Sequence, residues 1–212
     1  MLLFPGADNS LPSCAELDKP AAAAPAESGV PLLYDGGMSN IDTLRYPVGE
    51  FSAVMESDAS MRAKWIDENA AAPGVVADLV AGMTPGQMKT SYRQDGWTAA
   101  QVVHHLADSH VNAYIRTRFV LAEDNFTVKP YDEKRWAEFV DATDPDVSSS
   151  LHMLRGLHAR WATLLRTLGP DHFSRQLRHP ERGPMTLDTL VQLYAWHGRH
   201  HAGHLKIIRG QA

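Results

Sequence analysis

The chain is 212 residues long, 44% apolar and 21% charged, enough to bury one sizeable core without disulfides or metals merely to fold. Twenty Lys plus Arg against 25 Asp plus Glu give a formal charge of -5, and no long basic run offsets it; this argues against a nucleic-acid surface and favours a soluble cytoplasmic protein. The single cysteine, Cys14, excludes an internal disulfide, a thiolate zinc cluster and a dithiol redox pair and argues against a catalytic cysteine, and no stretch approaches the roughly 20 apolar residues of a membrane span.

Residues 1–44 read as a flexible or loosely docked extension, because KPAAAAPAESGVP lacks the large apolar side chains that offset ordering entropy. The start, MLLFPGADNS, lacks the charged beginning and apolar run of a secretory signal. Met38 is a candidate translation start, since the pattern of a folded domain lies after it. That domain is expected over residues 45–212.

From Asp58 onward, apolar residues recur at spacings of three and four. The first block, Asp58 to Met83, carries Met61, Trp65, Val75, Val76, Leu79 and Val80, with a kink or restart expected at Pro73. The second opens at Thr98, with Gln101 three residues on as a capping box, and runs to about Ala122. Pro130 then stops regular structure, and Asp132 is placed to cap a short helix carrying Trp136 and Phe139. The third long block runs from near Asp146 to Gly169 and Pro170. LRHPERGP reads as a loop, and the last block spans Thr186 to Arg209. Strand signals are nearly absent, so the predicted fold is all-α, a four-helix bundle with an irregular N-terminal extension.

Eleven histidines stand out in the composition, and none precedes His104. On the last helix the apolar stripe is Leu187, Leu190, Val191, Tyr194, Gly198, Leu205 and Ile208. His201 falls within it, His197 lies at its margin, and the pair at i, i+4 stacks two imidazoles about 6 Å apart on one inward face. His200 and His204 form a second such pair, further toward the flank. On the second helix the stripe centres on Val102, Leu106, Ser109, Ala113 and Val120; His105 borders it and His104 faces nearly the opposite way. Three neutral imidazoles with an open coordination position fit a catalytic metal centre, zinc by default, with nickel, iron or cobalt compatible. The plainer reading, histidines bonded to backbone or water, stays open on spacing alone, since H-x-x-x-H without an intervening Glu is a weak pattern.

Four segments in order carry a family resemblance: GWTAAQVVHHLADSHVNAYIR (96–116), KPYDEKRWAEF (129–139), HPERG (179–183) and YAWHGRHHAGHL (194–205). Together they resemble the DinB superfamily, and most closely its YfiT branch of proposed metal-dependent hydrolases related to bacillithiol transferases. The likeness runs from about Tyr46 to Arg209. It implies a four-helix bundle holding one divalent metal ion, zinc or nickel, through three histidines that map to His105, His197 and His201, and it implies a homodimer. The chain departs from the branch in its N-terminal extension and in carrying Arg199 between the last two mapped ligands, and neither change removes a ligand.

Such a cation lowers the pKa of bound water to about 7 or deprotonates a coordinating thiol. The expected function is therefore transfer of a low-molecular-weight thiol, bacillithiol-like, to an electrophilic small molecule. The alternatives are a metal-dependent hydrolase and a non-catalytic metal-binding stress-response module. Hydrolysis wants a carboxylate base, and Asp108, one turn from His105, is the nearest candidate, with an equal claim to orienting an imidazole or facing solvent. The lack of an obvious base favours thiol transfer. Arg116 points inward by the wheel and is a candidate for binding a carboxylate of the cosubstrate, or for a salt bridge within the bundle. His179 reads as a loop residue near the pocket rim.

Overall fold

The computed structural model describes residues 40–210. Most of the expected extension, with Cys14 and Met38, lies outside the described residues; α1 (Asn40–Arg45) begins ahead of the expected boundary at residue 45. The chain then forms α2 (Ala59–Val80), α3 (Pro85–Met88), α4 (Ala99–Ala122), α5 (Glu133–Trp136), α6 (Ser148–Arg166), α7 (Pro170–Phe173), a hairpin of β1 (Gln176–His179) and β2 (Gly183–Thr186), and α8 (Leu187–Gly210). The four long helices make the bundle. α2 packs against α6 and α8, and α4 packs against the same two, so α2 and α4 lie on one diagonal of the bundle.

Local chemistry sets the helix starts. Asp58 Oδ1 accepts from Met61 N at the head of α2, and Asp132 Oδ1 accepts from Arg135 N at the head of α5. Thr98 and Gln101 complete the capping box of α4 in both directions. The buried stripe of α2 is Ile66, Asn69, Pro73, Val76 and Val80, alternating steps of three and four; Met61 and Val75 stay exposed. Phe139 lies beyond the end of α5 and is exposed.

Two expectations are corrected here. α2 runs through Pro73 without a break: the missing N–H removes only the bond to the Asn69 carbonyl, and Asn69 Nδ2 ties the helix to α8 by donating to the Val191 carbonyl at 3.1 Å. The stretch read as a loop, LRHPERGP, contains a short antiparallel hairpin in which His179 pairs with Gly183. Gly183, at φ 76°, takes the left-handed conformation that closes the turn. Segment 126–128 supplies the long-range bonds that make this stretch extended: Arg178 N donates to the Phe126 carbonyl and Val128 N to the Arg178 carbonyl, both at 2.9 Å.

The core falls into two halves. One joins Val76, Val80, Val102, Leu106, Leu154, Leu205 and Ile208; the other joins Ile66, Ala113, Val120, Trp161, Leu187, Leu190 and Tyr194. On every long helix polar or special residues fall where the halves meet: Asn69 and Pro73, His105, Ser109 and His110, His158, and His197, His200, His201 and His204. The histidines form a layer across the middle of the bundle.

Candidate metal centre

His105 from α4 and His197 and His201 from α8 meet inside this layer, all three buried. His197 Nε2 lies 3.2 Å from His105 Nε2 and 3.2 Å from His201 Nε2. Two imidazole nitrogens bound at about 2.0–2.1 Å to a tetrahedral cation stand about 3.3–3.4 Å apart, so the observed spacing fits zinc-like coordination closely. Trp97 lines the same place, its ring 4.5 Å from that of His105 and 6.2 Å from that of His201.

The electrostatics suit a cation as well. Burial holds His105 down to about 3, with His204 adding to the effect. Burial also keeps His197 and His201 well below the usual imidazole range, and neighbouring imidazoles push the same way. All three are thus neutral at physiological pH, the form a metal requires. Neutral ligands leave the full charge of a divalent ion available to polarise whatever occupies its open position.

The histidine layer is larger than the wheels indicate. His110 Nε2 lies 3.1 Å from His197 Nδ1, and His110 Nδ1 lies 2.8 Å from His158 Nε2. His204 Nδ1 lies 3.3 Å from His201 Nδ1, while His204 Nε2 lies 3.1 Å from the Arg45 carbonyl. His110 and His158 are not among the predicted ligands, although each falls on its helix's buried stripe: His110 four after Leu106 and three before Ala113, His158 four after Leu154 and three before Trp161.

His200 and His204, expected toward the flank, are buried. The segment just after α1 covers that side of α8: Tyr46 packs on His200, Trp196 Nε1 donates to the Gly49 carbonyl at 3.0 Å, and Gln192 exchanges two bonds with the Val54 backbone. His104 does face away from the centre, yet it is buried, accepting from Ser150 Oγ at Nδ1 and donating through Nε2 to the Asp144 carbonyl. His200, His201 and His204 form a second convergent group, which shares His201 with the first.

Asp108 is half-buried on the flank of α4. Burial raises its pKa, Asp141 adds to that and His104 opposes it. Arg116 lies 6.0 Å over the Tyr131 ring. His179, at the end of β1, is buried rather than a plain loop residue, held near 4 by burial and then by the charges of Arg116 and Arg182. Arg199 pairs with Glu68 on α2, outside the site.

A helical bundle whose facing helices bring histidines to one buried point defines a class of small metal-site proteins. The DinB superfamily pattern matches residues 68–205, and the chain belongs to that superfamily. It is 44% identical over 161 residues to a protein of Oceanobacillus iheyensis, covering 76% of this chain and 93% of the relative. To YfiT of Bacillus subtilis it is 43% identical over 163 residues, 76% of this chain and 92% of that one. The names of both relatives propose a metal-dependent hydrolase. A solved structure of YfiT, described as a four-helix bundle of unusual topology, superposes with a TM-score of 0.78 at 41% identity, covering 80% of this chain and 97% of the other.

Proposed function

We propose that this chain is an enzyme that holds one divalent cation, zinc or nickel, on His105, His197 and His201 and uses it to activate a nucleophile. The observation that carries the reading is the convergence of three neutral imidazole Nε2 atoms at coordination spacing. A cation there supplies Lewis-acid chemistry, making bound water or a bound thiol acidic enough to act near pH 7. The protein's own contribution is to orient the ligands, exclude bulk water with Trp97, and keep the surrounding imidazoles uncharged.

Two nucleophiles suit the site. Water gives a hydrolase, in keeping with the names of the relatives. A low-molecular-weight thiol of the bacillithiol kind, transferred to an electrophilic small molecule, is favoured by the all-imidazole make-up of the converging group and by the setting of Asp108, the nearest candidate base, which burial governs first, with Asp141 and His104 as its charged neighbours. In either case Arg116, beside His179, is proposed to bind an anionic group of the substrate. The proposed state is a cytoplasmic homodimer, which sedimentation analysis and cell fractionation check.

The test is elemental analysis of the protein and of the variant H105A/H197A/H201A. One bound divalent ion per chain, lost in the variant, is expected; a variant that keeps its metal overturns the site. Turnover of ester substrates without added thiol then marks a hydrolase, and turnover only with thiol and electrophile together marks a transferase.

A further inference from the structure

The bonds around the central imidazoles form two lines, and one of them runs to a backbone carbonyl. A carbonyl only accepts, so it dictates which nitrogen of the adjoining ring carries the proton. The Arg45 carbonyl requires Nε2–H on His204. His204 Nδ1 then bears a lone pair, and its partner His201 Nδ1 must carry the proton. That leaves a lone pair on His201 Nε2, the atom 3.2 Å from His197 Nε2.

The second line is longer and ends on no carbonyl: His197 Nδ1 lies 3.1 Å from His110 Nε2, His110 Nδ1 lies 2.8 Å from His158 Nε2, and His158 Nδ1 is buried with no hydrogen-bond partner. A carbonyl fixes the proton at the end of the first line only.

We infer that His204 is a positioning residue, a relay anchored on the Arg45 carbonyl that locks His201 in the tautomer whose Nε2 lone pair faces the cation. The inference rests on the three-histidine metal reading above and assigns work to a residue that touches no cation in that reading. Partners of this kind fix ring orientation and ligand basicity, and losing one typically weakens metal binding 10- to 100-fold.

The direct test is nitrogen-15 NMR of the histidine rings in the full chain freed of metal, at pH 7.5. The proton is expected on Nδ1 of His201 and on Nε2 of His204; Nε2–H on His201 or Nδ1–H on His204 overturns the relay. The second test is zinc affinity, by competition with a chromophoric chelator, together with the cobalt absorption spectrum. His204→Phe is expected to bind zinc roughly 10- to 100-fold more weakly and to shift the cobalt bands. His204→Asn, which restores an acceptor, recovers most of the loss. A folded Phe variant with unchanged zinc affinity and cobalt spectrum rejects the relay while leaving the metal site standing. Zinc binding that survives H105A/H197A/H201A rejects the metal site itself. Should the Phe variant fail to fold, the NMR assignment on the unaltered chain decides.

Discussion

Single side chains in this bundle hold positions that only one or two residue types can fill. Thr117 is buried on α4, where its hydroxyl donates to the Ala113 carbonyl at 2.9 Å and accepts from Trp161 Nε1 at 3.1 Å. Trp161 is fully buried, so its indole N–H has no water to turn to. Thr117→Val keeps the shape and strands that donor, and is expected to cost about 1–3 kcal/mol; urea unfolding measures it, and an unchanged midpoint would mean that the N–H finds another partner. The same reasoning separates the histidines. His104 is satisfied entirely by Ser150 and Asp144 and needs no cation, whereas the Nε2 atoms of His105, His197 and His201 converge on one another.

At the scale of elements, α8 is the organising helix. It contributes two of the three central imidazoles, packs on both α2 and α4, and is covered along its remaining side by the segment that follows α1. Gly203 is where that cover comes nearest. A Cβ built there would stand 2.6 Å from Pro47 Cγ and 2.8 Å from Pro47 Cβ, atoms of a stiff ring that cannot swing aside. Gly203→Ala is therefore expected to destabilise the fold by about 1–3 kcal/mol despite the better helix propensity of alanine. Thermal unfolding checks this, and a stabilised variant would show that the Pro47 segment moves off α8 easily. Because His204 bonds the Arg45 carbonyl, the same substitution should also weaken zinc binding.

For the whole molecule, the dominant fact is a polar layer through the centre of an otherwise apolar core. His105 and His200 are held near 3, His158 and His204 near 4, and burial is the leading cause in each. Free in the unfolded chain, these rings titrate near 6.5. Between about pH 4 and 6.5 the unfolded state thus binds more protons than the folded one, so stability falls as pH drops through that window and is flat above it. Each ring contributes up to about 1.4 kcal/mol per pH unit there. Metal-free protein is expected to show a urea midpoint that declines steeply from pH 6.5 to 5, and equal midpoints at those two values would contradict the neutral layer. A cation bound only by the folded state adds stability, about 2.7 kcal/mol at 100 times its Kd.

Helix boundaries, caps and the inward direction of His105, His197 and His201 were legible in the chain because they depend on short-range facts: a threonine with a glutamine three residues on, apolar residues three and four apart, two histidines one turn apart. A single helix wheel carries no information about which foreign segment lies against a given flank, so it puts His200 and His204 at the periphery, whereas in the fold Tyr46 packs on His200 and the Arg45 carbonyl meets His204. The hairpin at Gln176–Thr186 escaped for the same reason, since its extended form depends on bonds from residues 126–128. What the sequence by itself determined was an all-helical bundle with a histidine-rich interior face. What only the tertiary structure decided was the partnership of those histidines, because whether a ring nitrogen carries a proton or a lone pair depends on the group opposite it, and for His204 that group is a carbonyl 159 residues away along the chain.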